Sequence, residues 1–302
     1  VRWAPPAYPG VEQSSAGALF LSLNRNKRSI RVDLKSEGGR EVLLRLVKDA
    51  DVLLESFRPG VLDRLGVGYE RLKEINPGLV YCAISGYGQD GPGRDAAGHD
   101  MNYLALGGML GMTGDADGSP VQNAGQVADI GGGALMAAFG ILAALRSRDR
   151  TGEGQFVDVS MFDGALAWLA MPAAQGMLEG ASPKRGDVAL AGSLMCYRPY
   201  ACSDGHVALG ALEAKFWKTF CEGVGREDLV SMQFEPLGSD THREVEAIFM
   251  SRTRDEWEAF AAQHDCCLTP ILDLDEVLES ELAKARAMVV PLTQPGAERE
   301  VR

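Results

Sequence analysis

The feature that most constrains this chain is an alternation of helical and strand-like periodicity over its first 180 or so residues. Across residues 37–50 the apolar positions Val42, Leu43, Leu46 and Val47 recur at helical spacing, and residues 51–57 then form a compact strand-like run. The pattern returns as a helical Tyr69–Ile75, a Pro77-Gly78 break, and an apolar strand over residues 79–85 that ends in Gly86, Gly88 and Gly91. A long apolar helix over residues 130–146 follows, then a Thr151-Gly152-Glu153-Gly154 turn, a strand Phe156–Ser160 and a further helix to about Met177. Strands that alternate with helices in this way predict an α/β fold built on a parallel sheet.

Residues 175–192 are rich in Gly, Ala, Ser and Pro and weakly periodic, so they read as a connection between two domains. The predicted organisation is a large α/β domain over 1–178, a linker over 179–195, a smaller α+β domain over 196–275, and a segment over 276–302 that returns toward the large domain. In the smaller domain, strands Tyr197–Cys202 and 206–211 flank Ser203-Asp204-Gly205, a hairpin signal with Gly205 supplying a positive φ. Helices follow over 214–224 and 254–264, the second opened by a Thr253-Arg254-Asp255-Glu256 capping box. A strand over 268–272 and a helix over 275–287 complete the readable part.

Composition narrows the function classes. With 42 acidic against 30 basic residues the formal charge is −12, which argues against nucleic acid or an anionic membrane surface as the main partner. No apolar run in the sequence approaches the roughly 20 residues of a membrane span, and the N-terminus lacks the layout of a signal peptide. A soluble, cytoplasmic protein is expected. The six cysteines show no CxxC spacing and suit a reducing compartment. None of the four histidines is paired at i, i+3 or i, i+4, so no metal site is expected.

Against this acidic background residues 23–35 concentrate Arg25, Lys27, Arg28, Arg31 and Lys35, which is either a solvated basic face or a polyphosphate site. Arg58, just past a strand end, stands where α/β folds bind ligands. His99 falls at a loop mouth or helix start, as a proton-exchanging group or an ordinary capping histidine. Asp129 precedes Gly131, Gly132 and Gly133 and then the long apolar helix, as an N-cap or as a functional carboxylate. Three glycines at a helix start weaken the helix by roughly 1 kcal/mol each relative to alanine. Either a ligand or a neighbouring helix must therefore approach closely there. The start of that helix would also offer N–H donors around residues 129–131 to a thioester oxygen turning into an enolate. Glu213 follows the strand 206–211, as a first-turn helix acid or as part of a site.

Seven collinear segments, NRNKRSIRVDLK, ADVLLESFRPGVLDRLG, NPGLVYCAISGYGQDGP, AGHDMNYLALGG, VADIGGG, RTGEGQFVDVSMFDG and VALGALEAKFW, resemble the family III CoA-transferases, the CaiB/BaiF family, along nearly the whole chain. The GHDMNYLA form, with His99, is similar to the α-methylacyl-CoA racemase branch, where transferases usually carry tyrosine or phenylalanine. The resemblance implies a large Rossmann-like domain with a smaller α+β domain in an interlocked homodimer, and an acyl-CoA substrate with no covalently bound cofactor. It implies CoA binding at Arg28, Val32, Asp33, Leu34, Lys35, Arg58, Gly98, Asp100, Asn102 and Tyr103, and catalysis by His99, Asp129 and Glu213. It further implies that a first βαβ unit precedes Val1 and a tail follows Arg302, so that the sequence is expected to be truncated at both ends. The activity implied is racemisation or epimerisation at C2 of a 2-methylacyl-CoA. The alternatives are CoA transfer through an aspartyl-CoA thioester on Asp129, and a CoA-binding remnant without turnover.

Overall fold

The computed structural model describes residues 17–291, and expectations that concern residues 1–16 and 292–302 lie outside the described residues. Contacts divide the chain into two compact units, residues 1–31 with 270–302 and residues 32–269. Both lobes read from the sequence, 1–178 and 196–275, fall mainly within the second unit, whereas the whole of the expected return segment, 276–302, belongs to the first.

The first unit, in its described part, holds the short helix Ala18–Leu23 and the helices Leu274–Glu279 and Glu281–Ala285. The single helix expected over 275–287 is two. Ser280 takes an extended conformation between them, and its hydroxyl accepts the Ala283 N–H at 3.2 Å, so one residue ends one helix and caps the next.

The second unit begins with the helix Glu37–Val47, capped by Ser36 through the Gly39 N–H at 3.0 Å. Strands β1 (Val52–Glu55), β2 (Val80–Ser85) and β3 (Phe156–Ser160) form a parallel sheet in that order, as the alternation predicts. The central strand is buried on both faces, the usual condition of a parallel sheet. Its Tyr81 and Ala83 join Val47, Leu62, Val67 and Leu72 on one side, and Cys82 joins Ala137 and Val159 on the other.

The long helix expected over 130–146 begins earlier and is not uniform. Val127–Leu135 is π-helical, and Met136–Thr151 continues as α-helix. Nine residues of π-helix are unusual, since such turns normally occur singly and often at functional sites. Together the 25 residues are long and apolar enough to cross a bilayer by length and composition, which corrects the expectation that no such run exists. Glycine and alanine fill its inner face. One side packs on β2, β3 and the helix Met161–Ala167, while Leu135, Phe139 and Leu142 form an exposed stripe, with Phe139 73% exposed.

Of the region read as a linker, the helix Ala170–Glu179 takes the first part, and Arg185 donates to the carbonyls of Gly111, Asp115 and Gly118 at 3.1, 3.1 and 2.6 Å. The second lobe carries β4 (Tyr197–Cys202), β5 (Gly205–Gly210) and β6 (Leu268–Pro270), with β4 and β5 antiparallel. Their turn is Ser203-Asp204, and Gly205 is already the paired first residue of β5, so the positive φ expected there does not occur. Around this sheet pack the helices Ala214–Gly223, Asp240–Met250 and Arg254–Gln263. Thr253 and Glu256 make the expected capping box, at 2.8 and 3.1 Å. Trp217, Phe220, Phe249 and Trp257 are fully buried, and both indole N–H groups find carbonyls, those of Leu229 and Phe249, at 3.0 and 2.9 Å.

Candidate active site

A cleft of about 420 Å³ opens beyond the carboxyl ends of β1 and β2, where a parallel sheet binds ligands. Arg58, Arg94, Gly98, His99, Asn102 and Tyr103 are among the residues that line it. Arg58 lies in the loop just after β1, beyond Ser56 and Phe57. Its side chain is exposed and makes no hydrogen bond or ion pair among the described residues, so it is free to meet an anion. Arg94 was not legible in the sequence. It is set on a loop turn by its Nε donating to the Gln89 carbonyl at 2.8 Å, with Asp95 3.1 Å from its other arm.

His99 is the residue before the helix Asp100–Leu106, in extended backbone, with its ring exposed at the cleft wall. The Asn102 side chain accepts the His99 backbone N–H at 3.0 Å and fixes that entry. Asp129 lies in the first turn of the π-helical stretch, not before it; the residue that precedes that stretch is Gln126. The N-cap reading of Asp129 is thereby corrected.

The capping role belongs to Asp100. Its Oδ1 accepts the N–H groups of Ala128 at 2.7 Å and Asp129 at 3.0 Å, so the residue next to His99 holds the backbone of Asp129. Partial desolvation raises the proton affinity of the Asp129 carboxyl above the ordinary aspartate range, the Asp100 charge raises it further, and His99 acts in the opposite sense. The imidazole and the carboxylate thus share one electrostatic environment.

Three residues that the resemblance assigns to CoA binding are engaged within the protein. Asp100 is buried and bonded as above, Asn102 holds His99, and the Tyr103 hydroxyl donates to the Gly98 carbonyl at 2.6 Å. Tyr103 is wedged between Gly86 and Gly98, where a Cβ on either would come within 2.6 Å of its ring. These groups shape the cleft wall. The turn at Val32–Lys35 is likewise self-contained: Asp33 accepts the Lys35 N–H at 3.0 Å, and its carbonyl accepts the Ser36 hydroxyl at 2.8 Å. None of Val32, Asp33, Leu34 and Lys35 lines the cleft. Arg28 is exposed on the other unit. Glu213 precedes the helix Ala214–Gly223 in the second lobe; its charge acts on the Cys267 thiol, and it is neither a wall of the cleft nor among the groups that act on Asp129.

The glycine question is decided for two of the three. A Cβ on Gly132 would sit 2.9 Å from the Met161 carbonyl oxygen, and one on Gly133 would sit 3.0 Å from the Met161 side chain, so both serve the crossing with the helix Met161–Ala167. The donors expected around 129–131 are in part consumed as well. The Asp129 N–H goes to Asp100, and the Ile130 N–H goes to the Gln126 carbonyl at 2.9 Å.

His99 and the unpaired Arg58 line the cleft, whereas Asp129 is not among its lining residues and is linked to it through the Asp100 carboxylate and the charge interaction with His99. A cleft with a free arginine at the carboxyl ends of a parallel sheet suits an anionic ligand. The model of CoA-transferase family III matches residues 1–302, and the chain belongs to that family. The mouse α-methylacyl-CoA racemase is 37% identical over 284 residues, which cover 91% of this chain and 73% of the relative. The succinyl-CoA:mesaconate CoA-transferase of Haloarcula hispanica is 32% identical over 313 residues, covering 100% and 78%. A solved CAIB/BAIF family protein from Brucella suis superposes with a TM-score of 0.80 at 33% identity, covering 98% of this chain and 79% of that one. Racemases and CoA-transferases therefore both stand among its relatives.

Proposed function

We propose that this chain is a racemase or epimerase that inverts C2 of 2-methylacyl-CoA thioesters by transferring a proton between two bases through an enolate. The observation that carries the reading is the tie between His99 and Asp129, made by the one carboxylate of Asp100. Inversion needs one group to take the C2 proton from one face and the other to deliver a proton to the opposite face. In one direction the Asp129 carboxylate accepts the proton, the C2–H electron pair moves into the thioester to form the enolate, and imidazolium His99 protonates the other face. The reverse direction exchanges the roles. A histidine and a carboxyl group can do this when their proton affinities lie close, and the raised affinity of Asp129 narrows the gap. The enolate oxygen needs a donor, and the N–H groups of Asp100 and Met101, in the first turn of their helix, are not taken by protein acceptors among the described residues.

Arg58 is assigned to the CoA phosphates. Arg58→Ala is expected to raise the KM for acyl-CoA by about 10- to 100-fold with little change in kcat, because a charge-assisted bond of this kind contributes about 1.5–3 kcal/mol to binding. Steady-state kinetics with CoA as competitor checks it.

The second reading is CoA transfer, favoured by the exposed position of Asp129 and by the likeness, over the whole of this chain, to a mesaconate CoA-transferase. There the Asp129 carboxylate attacks the thioester carbonyl and expels CoA thiolate, and the thiolate then attacks the aspartyl carbonyl of the mixed anhydride, releasing the first acyl group as its carboxylate and leaving an aspartyl-CoA thioester. Hydroxylamine during turnover would convert that thioester into a hydroxamate on Asp129. The racemase reading expects no such trapping, and exchange of the C2 proton instead. Tight CoA binding with neither reaction would favour the remnant.

A homodimer is proposed as the working assembly. The stripe Leu135, Phe139 and Leu142 is a continuous apolar helix face of the kind that monomers seldom leave open. Sedimentation equilibrium is expected to give twice the chain mass, and Phe139→Glu to lower it toward one; a wild-type monomer would refute this.

A further inference from the structure

We propose that Asp100 is the positioning residue of this site, its single carboxylate pinning the backbone of Asp129 to the residue that follows His99. The inference rests on the acid/base reading of His99 and Asp129, and it reassigns a residue whose resemblance pointed to CoA contact.

Three observations carry it. Asp100 is 3% exposed, so its carboxylate is sealed from the cleft and from solvent. Its Oδ1 takes two N–H groups at once, those of Ala128 and Asp129, 28 and 29 residues away in sequence. Both belong to the first turn of the π-helical stretch, where the backbone N–H groups are not supplied with partners by the helix itself. The other oxygen, Oδ2, is buried and has no hydrogen-bond partner among the described residues. A carboxylate that is paired only on one side keeps much of its field, and that field acts on the Asp129 carboxyl.

The remaining charged groups do not reproduce this effect. The helix Asp100–Leu106 and its cap bring His99, Asp100 and Tyr103; the helix Met161–Ala167 brings Asp163; β3 brings Asp158; β2 brings Tyr81 and Cys82; and the helix Met136–Thr151 carries Arg146, Arg148, Asp149 and Arg150 toward its far end. Of these, Asp100 raises the proton affinity of Asp129 and His99 lowers it, while Asp129 in turn raises that of the Tyr103 hydroxyl. Asp100 therefore has two separable effects. As an acceptor it sets where the Asp129 carboxyl stands, and as an anion it makes that carboxyl hold its proton to higher pH.

Two substitutions separate them. Asp100→Asn keeps an oxygen acceptor at Oδ1 and removes the charge, whereas Asp100→Ala removes both. The first readout is the titration of the Asp129 side-chain carboxyl carbon, followed by NMR in protein labelled with 13C-aspartate and assigned with Asp129→Asn; it needs no turnover. In Asp100→Asn the Asp129 midpoint is expected to move to lower pH while the fold and melting temperature are kept. Below the wild-type midpoint the variant therefore has more Asp129 ionised, and the acid limb of the C2 exchange profile shifts to lower pH with it. In Asp100→Ala the exchange rate at the optimum is expected to fall by about 100-fold, the scale set by an ångström-sized misplacement of a reacting group. An unshifted Asp129 titration in Asp100→Asn, or a pH-independent loss equal in both variants, would overturn the proposal. Wild-type protein with no C2 exchange but a shifted Asp129 titration in Asp100→Asn would overturn the racemase reading and leave the positioning role standing.

Discussion

Alanine at His99 or at Asp129 is expected to lower racemisation of a 2-methylacyl-CoA by about 1000-fold, the usual scale for losing a general acid or base. Neither side chain is buried, so neither substitution should cost much stability. The more informative result is asymmetric. With His99 gone, Asp129 can still remove and return the proton on its own face, so exchange of C2 hydrogen with solvent should survive for one enantiomer without inversion. With Asp129 gone, residual exchange should belong to the other enantiomer. Chiral chromatography together with deuterium incorporation measures both. Equal loss of exchange for both enantiomers in each variant would mean that the two groups do not act on opposite faces.

The second large effect concerns the floor of the site. Gly164→Ala is expected to destabilise the second unit by about 3 kcal/mol, at the upper end for overpacking, because the new methyl group meets backbone that cannot rotate away. It would overlap the Gly132 Cα and lie 2.5 Å from the Gly132 carbonyl oxygen and 2.8 Å from its carbonyl carbon. For a unit of this size that corresponds to a fall of roughly 6–12 °C in melting temperature. Gly132 is three residues after Asp129, so C2 exchange should fall with stability. Gly38→Ala is the control: nothing lies within 4 Å of its Cβ position, it sits inside the helix Glu37–Val47, and it should be neutral or stabilising. Calorimetry of the two variants checks the pair, and a Gly164→Ala protein that melts like the wild type would refute the close crossing of the two helices.

Much of the scaffold was legible because its signals are local. The helix Tyr69–Ile75, the strand Phe156–Ser160 and the Thr253 capping box each depend on residues a few positions apart, and each stands where its periodicity or cap predicts. The helix Asp240–Met250 was missed, since its inward residues His242, Val245 and Phe249 are spread thinly through a polar run. The π-helical stretch was also out of reach. A wider coil has no apolar period of its own in nine residues that include three glycines, and its reason lies in packing against Met161–Ala167.

The site divides in the same way. His99, Asp129 and Arg58 could be singled out from residue type, position and resemblance. The part Asp100 plays could not, because its partners lie 28 and 29 residues away, and Arg94 reaches the cleft only by a loop turn that no motif announces. Short-range chemistry is visible in a sequence. The alignment of two distant backbone segments by one buried carboxylate is not.

The most direct test uses the wild-type protein alone. Separate samples of (R)- and (S)-2-methylacyl-CoA are incubated in deuterated water, and the C2 position and configuration of each are followed with time. The result expected is convergence of both samples on the same mixture of enantiomers, with one deuterium at C2 in each inverted molecule. Retention of configuration and of the C2 proton in both samples, with CoA passing instead to an added carboxylic acid and the 2-methyl acid released, would contradict it.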